Sequence, residues 1–282
     1  MDPGAAAYTQ RFTQCPLCAA PAAAADLYKV ASCSQHPLYK PGLPPEMRWL
    51  RCPACAHIYT ENFWTEAGER VLFASALPHQ LPDSAQSEHL RTLWAPTVRH
   101  AAERLAETRG RSAVFAARGA ERPRWLDVGF GNGGLVMAAD EFGFAASGVD
   151  VRAEAVAKLQ SLGYAAVCAH FEQLSVPAPL SVLSMADALE HMVAPRAALR
   201  NAHALLDPDG LLYLSCPNSE TSTWSLWEQA GTNPYWGELE HYHNFSRDRL
   251  IALLAQEKFD VIDYDVSVRY YSCMEVTARK RG

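Results

Sequence analysis

A strand, a glycine-rich turn and the start of a helix follow one another between Trp125 and Leu135, where the one-letter sequence is WLDVGFGNGGL. Glycine adopts the positive backbone dihedral angles that such a turn requires, and it places no side chain between a ligand and the backbone. The N-terminus of the following helix then faces the ligand. The segment therefore predicts a nucleotide cofactor site in an α/β fold.

Two cofactor patterns fit these glycines. Gly129, Gly131 and Gly134 satisfy the G-x-G-x-x-G pattern of dinucleotide sites, which alone is a weak signal. Asp127, Gly129, Gly131 and Gly133 give D-x-G-x-G-x-G. Asp127 favours the second pattern, because a dinucleotide presents pyrophosphate here, whereas a sulfonium cofactor with an α-amino group is attracted to a carboxylate. We predict that the residues of the second pattern bind S-adenosylmethionine (SAM).

Three later segments extend this pattern. They are DALEHM at Asp187–Met192, LDPDG at Leu206–Gly210 and CPN at Cys216–Asn218. With the glycine turn, they resemble the class I SAM-dependent methyltransferases over roughly the C-terminal 170 residues, and in particular the D-x-L-E-H, L-x-P-G-G and P-N series of one subfamily of them. Asp209 stands where that family usually has glycine, a departure that concerns only the geometry of a turn.

Four further side chains are candidates for cofactor contact. Asp150 ends the second strand about 20 residues after the glycine turn, where a carboxylate accepts hydrogen bonds from both ribose hydroxyls. The resemblance implies that Phe171 and Glu172 lie beside adenine and that Asp187 lines the SAM pocket. The alternatives are a helix N-cap for Asp150 and a solvated loop carboxylate for Glu172.

The cluster of Asp187, Glu190 and His191 brings three ligand-type side chains within five positions. The resemblance extends to ubiquinone-pathway O-methyltransferases and small-RNA 2′-O-methyltransferases, which hold a divalent ion with a similar cluster whose first residue is glutamate. Such an ion lowers the pKa of a substrate hydroxyl. The alternative is that this segment caps the next helix and lines the SAM pocket.

The segment from Glu238 to Ser246, ELEHYHNFS, resembles the E-H-x-H-x-F-S segment that precedes the last large helix of the subfamily. His241 and His243 are the candidate catalytic bases, since methyl transfer to a hydroxyl or carbon acid requires removal of a proton. The alternative for either histidine is a packing role with a hydrogen bond to a neighbour. The preceding aromatic residues are candidates for a substrate wall or a packed lid: Trp224, Trp227, Tyr235 and Trp236.

Four cysteines near the N-terminus form two C-x-x-C pairs: Cys15, Cys18, Cys52 and Cys55. Each pair directs two thiolates to one tetrahedral ion, and four thiolates close the coordination shell as a structural zinc site does. The spacing predicts a zinc-ribbon module. The alternatives are a redox dithiol, or replacement of one cysteine ligand by Cys33, His36 or His57.

Composition restricts the class of protein. The chain has 282 residues, of which 49% are hydrophobic, so it can bury a full core. A net charge of −6 disfavours binding to a polyanion such as nucleic acid. No apolar run is long enough to span a membrane, and the first residues lack the charged-then-apolar order of a signal peptide, so we expect a cytoplasmic protein.

Strands and helices alternate after residue 123. Strands are predicted at 124–128, 145–149, 165–168, 180–186, 211–215, 259–266 and 270–279, with helices at 133–142, 153–162, 195–206 and 247–257. This alternation is typical of a Rossmann-like, doubly wound, mostly parallel seven-stranded sheet. A long helix at 85–109 precedes it and is expected to cover the cofactor side. We expect a zinc-ribbon-like module at 1–66, a helical bridge at 67–112 and a methyltransferase domain at 113–282.

These observations predict an enzyme that moves a methyl group from SAM to a small-molecule or carrier-linked acceptor, such as a sugar, glycan or natural-product intermediate. The alternatives are an RNA or protein methyltransferase, a noncatalytic SAM-binding interaction protein, and a dinucleotide oxidoreductase. The sequence does not decide the acceptor atom or the oligomeric state.

Overall fold

A computed structural model describes residues 8–74, 77–115, 121–176 and 179–282. The Arg-, Gly- and Ala-rich sequence at 110–123 predicts a linker, of which residues 116–120 lie outside these ranges. Among the described residues, no helix combines the length and the apolar character that crossing a membrane requires.

The C-terminal part is built on a large mixed sheet. In the described ranges it has seven strands in the order β12-β13-β10-β9-β6-β7-β8. Their bounds are β6 Arg124–Val128, β7 Ala145–Asp150, β8 Ala165–Cys168, β9 Leu180–Ala186, β10 Leu206–Pro217, β12 Phe259–Val266 and β13 Cys273–Lys280. Five neighbouring strands of this sheet run parallel: β10, β9, β6, β7 and β8. Strand β13 is antiparallel to both its neighbours. The predicted Rossmann-like sheet is confirmed.

Helices cover both faces of this sheet. They are α2 Ser87–Arg109, α4 Gly134–Glu141, α5 Ala153–Ser161, α6 Pro195–Leu205 and α8 Arg247–Gln256, with α1 Glu66–Leu72, α3 Arg111–Val114 and α7 Ser222–Ala230 outside the alternating series. Coverage on both sides explains why six of the seven residues of β9 are buried and why its sequence is a continuous apolar and small-residue run.

An irregularity near the start of β10 shows the effect of the departure at Asp209. The chain shifts register between Leu206 and Leu211, and Asp209 adopts a φ of +62°. Aspartate tolerates this left-handed conformation better than most residues, although glycine has no steric cost there. The substitution therefore preserves the turn.

The N-terminal part forms two smaller sheets within the described residues. The first pairs β1 Thr9–Arg11 with β5 Asn62–Trp64. The second has the order β11-β4-β3-β2, with β2 Asp26–Ser32, β3 Glu46–Arg51 and β4 Ile58–Thr60. Its edge strand β11, His243–Asn244, comes from far along the chain, so the N-terminal and C-terminal parts share one sheet.

Candidate functional site

A cavity of about 460 Å³ lies where the parallel strands end. The ends of β6, β7 and β9 open into it, as ligand sites in open α/β sheets do. Helix α2 covers one side through Trp94, in agreement with the expectation that this helix lies over the cofactor side.

Asp127 occupies the end of β6 at the floor of the cavity and is 2% exposed. Its Oδ1 accepts a hydrogen bond of 2.6 Å from the Ser184 hydroxyl, whose oxygen accepts a 2.8 Å bond from the Trp125 indole. Burial raises the pKa of Asp127 to about 7, although the Ser184 hydrogen bond opposes that shift. The carboxylate is thus fixed in position and lacks a full counter-charge.

The glycine turn adopts the conformation that the sequence predicts. Gly129, Gly131 and Gly133 have φ values of 68°, 53° and 74°. Gly129 and Gly131 line the cavity, whereas Gly133 is the N-cap of α4, and a Cβ there would lie 2.9 Å from Leu159. Two glycines therefore keep the backbone open to a ligand, and the third permits close helix packing.

Asp150 lies at the end of β7 with a side chain that is 2% exposed. It accepts a bond of 3.3 Å from the Gly131 amide and is paired with Arg152 through Nη2 at 2.8 Å and Nε at 2.9 Å. Arg152 also reaches the Gln80 side-chain oxygen at 3.2 Å. The sequence analysis missed both Arg152 and Gln80, because neither belongs to the strand-end pattern. Phe171 and Glu172 line the cavity beside this pair.

Asp187 follows β9 and has a left-handed φ of 53°. Its carboxylate accepts a bond of 2.7 Å from the Ser215 hydroxyl and pairs with Arg269 at 3.1 Å. The Arg269 side chain is 3% exposed, and its guanidinium lies 4.0 Å above the Trp94 ring. Asp187 lines the cavity, but Arg269 neutralises it, and no pattern in the sequence marks that arginine.

Glu190, His191 and His241 form a second cluster in the cavity. One ligand atom from each lies within 4.8 Å of the others. Glu190 is 1% exposed, and its Oε2 has no hydrogen-bond partner. Burial raises the pKa of Glu190 well above its ordinary value, and the Asp187 charge adds to the shift. The third member of the cluster is His241 rather than the predicted Asp187.

The two candidate bases occupy different surroundings. His241 lines the cavity, its Nδ1 is buried without a partner, and its ring stacks at 5.9 Å on Tyr235. Burial lowers the pKa of His241 well below its ordinary value. His243 is not among the residues that line the cavity, and both its ring nitrogens are engaged, by His57 at 3.1 Å and by the Met192 carbonyl at 2.9 Å.

The aromatic residues that precede Glu238 also differ in whether they line the cavity. Tyr235 lines the cavity and stacks on Trp224 at 5.4 Å, while Trp224 and Trp236 are buried behind it. Tyr235 is thus the wall residue among the predicted aromatic set, and the two tryptophans pack that wall from outside.

The four cysteines Cys15, Cys18, Cys52 and Cys55 come together, with their sulfurs all within 4.8 Å of one another. Cys33 instead hydrogen-bonds the Pro44 carbonyl at 3.3 Å, and His36 and His57 bind partners outside the cluster. The predicted four-cysteine site is present, and its donor set fits a tetrahedral zinc ion.

Comparison with known proteins identifies the family. A sequence model of the methyltransferase domain family matches residues 88–264, more than half of the chain. The magnesium protoporphyrin IX methyltransferase of Synechocystis PCC 6803, solved with S-adenosylhomocysteine (SAH), is 16% identical over 74% of this chain and 91% of its own, with a TM-score of 0.51. An S-adenosylmethionine-dependent methyltransferase of Clostridium acetobutylicum is 12% identical over 68% and 92%, with a TM-score of 0.50.

A third solved structure is the 1,6-didemethyltoxoflavin-N1-methyltransferase of Burkholderia thailandensis, which is 22% identical over 70% of this chain and 85% of its own, with a TM-score of 0.48. No curated protein matches the sequence. The family match and the Rossmann-like sheet agree with the SAM pattern of the sequence. The chain belongs to the methyltransferase domain family and is a SAM-dependent methyltransferase with a four-cysteine module before its catalytic domain.

Proposed function

We propose that the protein transfers the methyl group of SAM to a small-molecule or carrier-linked acceptor, such as a sugar, glycan or natural-product intermediate. One observation carries this proposal. A single cavity is lined on one side by Asp127 and the glycine turn and on the other by Tyr235 and His241. Cofactor and acceptor would therefore meet in one cavity.

In this proposal, each residue of the cofactor half would contact one part of SAM. Asp127 would face the ammonium group, Asp150 the ribose hydroxyls, and Phe171 and Glu172 the adenine. When bound, SAM supplies a methyl group on a sulfonium, which is transferred by in-line displacement. The chain's own contribution is to hold the two reactants in line and to exclude water from the reacting atoms.

His241 is the proposed base in the acceptor half. Its unpartnered Nδ1 is a proton acceptor in a cavity where the Tyr235 ring fixes the plane of the imidazole. An acceptor hydroxyl or carbon acid within hydrogen-bond reach would pass its proton to this nitrogen as the new bond to carbon forms. His243 already bonds through both ring nitrogens, so the geometry favours His241.

The charges around the cavity favour a small acceptor over RNA. Arg152 is the one lysine or arginine among the lining residues that the structure describes, and Asp150 neutralises it. The lining also contains Glu69, Glu238 and Glu240. A polyanion would meet electrostatic repulsion from these carboxylates.

The proposal includes two candidate metal sites. The four-cysteine site would hold a structural zinc, because its four sulfurs lie within 4.8 Å of one another and a bound cation offsets the cost of a buried thiolate. As the alternative to a base at His241, Glu190, His191 and His241 would hold a divalent ion that polarises an acceptor hydroxyl, because the single Nδ1 lone pair cannot both bind a metal and accept a proton. The unpartnered Glu190 Oε2 and His241 Nδ1 support that second site.

Calorimetric titration of the purified protein with SAM, SAH and NADH tests the central claim, with metal analysis of the same sample. Binding of SAM and SAH together with about one zinc per chain is expected. Binding of NADH alone would support a dinucleotide enzyme instead. Manganese titration of wild-type and Glu190→Gln protein tests the divalent site, and equal manganese binding by both would refute it.

A His241→Gln variant tests the base once an acceptor is known. Loss of about a hundredfold in turnover with unchanged SAH affinity is expected, since general bases contribute roughly that much. His203→Gln, which alters a partly exposed histidine on α6 that does not line the cavity, is the matched control. Full turnover by His241→Gln would exclude the proposed role.

A further inference from the structure

The acceptor loop, residues 235–244, lies between the cavity and the N-terminal module, here residues 8–64. Its inner side contributes Tyr235, Glu238, Glu240 and His241 to the cavity lining. Its outer side packs into a buried aromatic cluster of the N-terminal module that contains Trp49 and Trp64. The loop that carries the proposed base therefore rests on the N-terminal module.

Two buried indoles hold the loop backbone directly. Trp49 Nε1 donates a hydrogen bond of 2.9 Å to the Trp236 carbonyl. Trp64 Nε1 donates one of 2.7 Å to the Leu239 carbonyl. Both donors come from strands of the N-terminal module, β3 and β5, so these strands set the path of the loop on both sides of Glu238.

Strand pairing continues this contact past His241. The Thr60 amide donates 2.9 Å to the Tyr242 carbonyl, and β11 pairs antiparallel with β4. His57 and His243 add a buried side-chain bond of 3.1 Å. Because the Met192 carbonyl can only accept, His243 Nε2 carries the proton and His243 Nδ1 accepts from His57 Nε2.

His57 is also hydrogen-bonded to the four-cysteine site. The Cys52 amide donates 2.9 Å to the His57 carbonyl, and the Ala56 amide donates 2.8 Å to the Cys52 carbonyl. The turn that presents Cys52 and Cys55 thus ends directly at His57, where β4 begins. A continuous series of bonds runs from the cysteines through His57 to the acceptor loop.

The hydrogen bonds that position Asp127 and Asp150 in the cofactor half are made within the C-terminal part. Asp127 bonds to Ser184 within the large sheet, and Asp150 bonds to Gly131 and Arg152 of the same domain. A change in the N-terminal module should therefore alter one half of the cavity and leave the other intact.

We propose that the N-terminal module is the positioning element of the acceptor half, and that His57 is a positioning residue which holds the loop carrying His241. This inference rests on the proposed function, because it assigns His241 to the acceptor site. The module then acts on acceptor chemistry without touching the cofactor.

The test compares full-length wild-type protein with His57→Phe, which keeps a buried ring but removes the donor, and His57→Gln, whose amide can still donate to His243. The readouts are SAH affinity by calorimetry and the His241 ring signal in NMR spectra of histidine-labelled protein, identified with His241→Gln. His57→Phe is expected to shift the His241 signal and leave SAH affinity unchanged, and His57→Gln to restore the signal.

Trp64→Phe provides a second test if His57→Phe fails to fold. It removes the hydrogen bond to Leu239 and keeps the aromatic packing, so it should shift the His241 signal in the same way. An unchanged His241 signal in both folded variants, or in Trp64→Phe alone if His57→Phe does not fold, would overturn the inference. Absence of SAH binding to wild-type protein would instead refute the proposed function.

Discussion

Asp127 should make cofactor binding depend on pH near neutrality. Its pKa is raised to about 7 by burial, so in the free protein half of the molecules carry a neutral carboxyl at that pH. Only the ionised form attracts the ammonium group of SAM or SAH strongly. The ionised fraction is about one tenth at pH 6, one half at pH 7 and nine tenths at pH 8. SAH affinity should therefore rise about fivefold from pH 6 to 7 and about twofold from pH 7 to 8.

The stability of the free protein should change in the opposite direction. The pKa of Asp127 is higher in the folded state than in the unfolded state, so the folded protein binds more protons between pH 4 and 7. The contribution of Asp127 to stability is therefore greatest below its unfolded pKa and is lost as pH rises through its folded pKa, by up to about 4 kcal/mol. A bound ammonium group would offset this loss.

Asp127→Asn separates these two effects. The amide oxygen can still accept the Ser184 hydrogen bond, but the charge is gone. Calorimetry should show SAH affinity that is weaker at pH 8 by about 1–3 kcal/mol and flat from pH 6 to 8. Thermal melts at pH 8 should show a free variant more stable than wild type. A wild-type affinity that does not change between pH 6 and 8 would refute the reasoning.

Three further outcomes are expected. Gly148→Ala should lower stability by about 1–3 kcal/mol and weaken SAH binding, because its Cβ would lie 2.4 Å from the Phe130 ring, which lines the cavity. Cys15→Ser should abolish stoichiometric zinc and lower the melting temperature, measured by metal analysis and calorimetry. Arg269→Met should destabilise the fold by about 3 kcal/mol in denaturant titrations, because two carboxylates lose their buried partner.

Gly148→Ala with wild-type stability would mean that Phe130 moves freely. Cys168→Ser is the control for the cysteine site, since Cys168 is exposed and outside it, and zinc retained by Cys15→Ser would exclude that ligand. Arg269→Lys keeps the charge and should recover part of the loss, so equal loss in both Arg269 variants would show that packing on Trp94, not charge, dominates.

The sequence predicts the large sheet well, because a sheet covered on both faces requires uninterrupted apolar runs at its strands. The predicted limits of β8, β9 and β12 coincide with those observed. The short strand β11 has no comparable signal. It consists of His243 and Asn244 alone, and its partner β4 lies in another part of the chain, so only the folded structure shows the pairing.

The sequence likewise predicts some residues of the candidate site and not others. The rule that ligands bind at the carboxyl ends of parallel strands locates Asp127 and Asp150, because those strand ends can be predicted from the local sequence. The same rule does not predict Arg152 or Arg269. Their ion pairs with Asp150 and Asp187 depend on the path of the side chains in the folded protein. The sequence also could not separate His241 from His243, two positions apart. The His241 amide bonds back to the Glu238 carbonyl at 3.2 Å, so the chain turns before β11 begins and directs the two rings to different neighbours.

The sheet shared by β4 and β11 affects how this enzyme can be dissected. Removing residues 8–64 would leave β11 as an unpaired edge and uncover the aromatic side chains of Trp224 and Trp236, which invites aggregation. A foreign zinc module grafted in its place would need to supply a complementary strand as well as four cysteines. Engineers who wish to change the acceptor should therefore treat the N-terminal module and the 235–244 segment as one exchangeable unit.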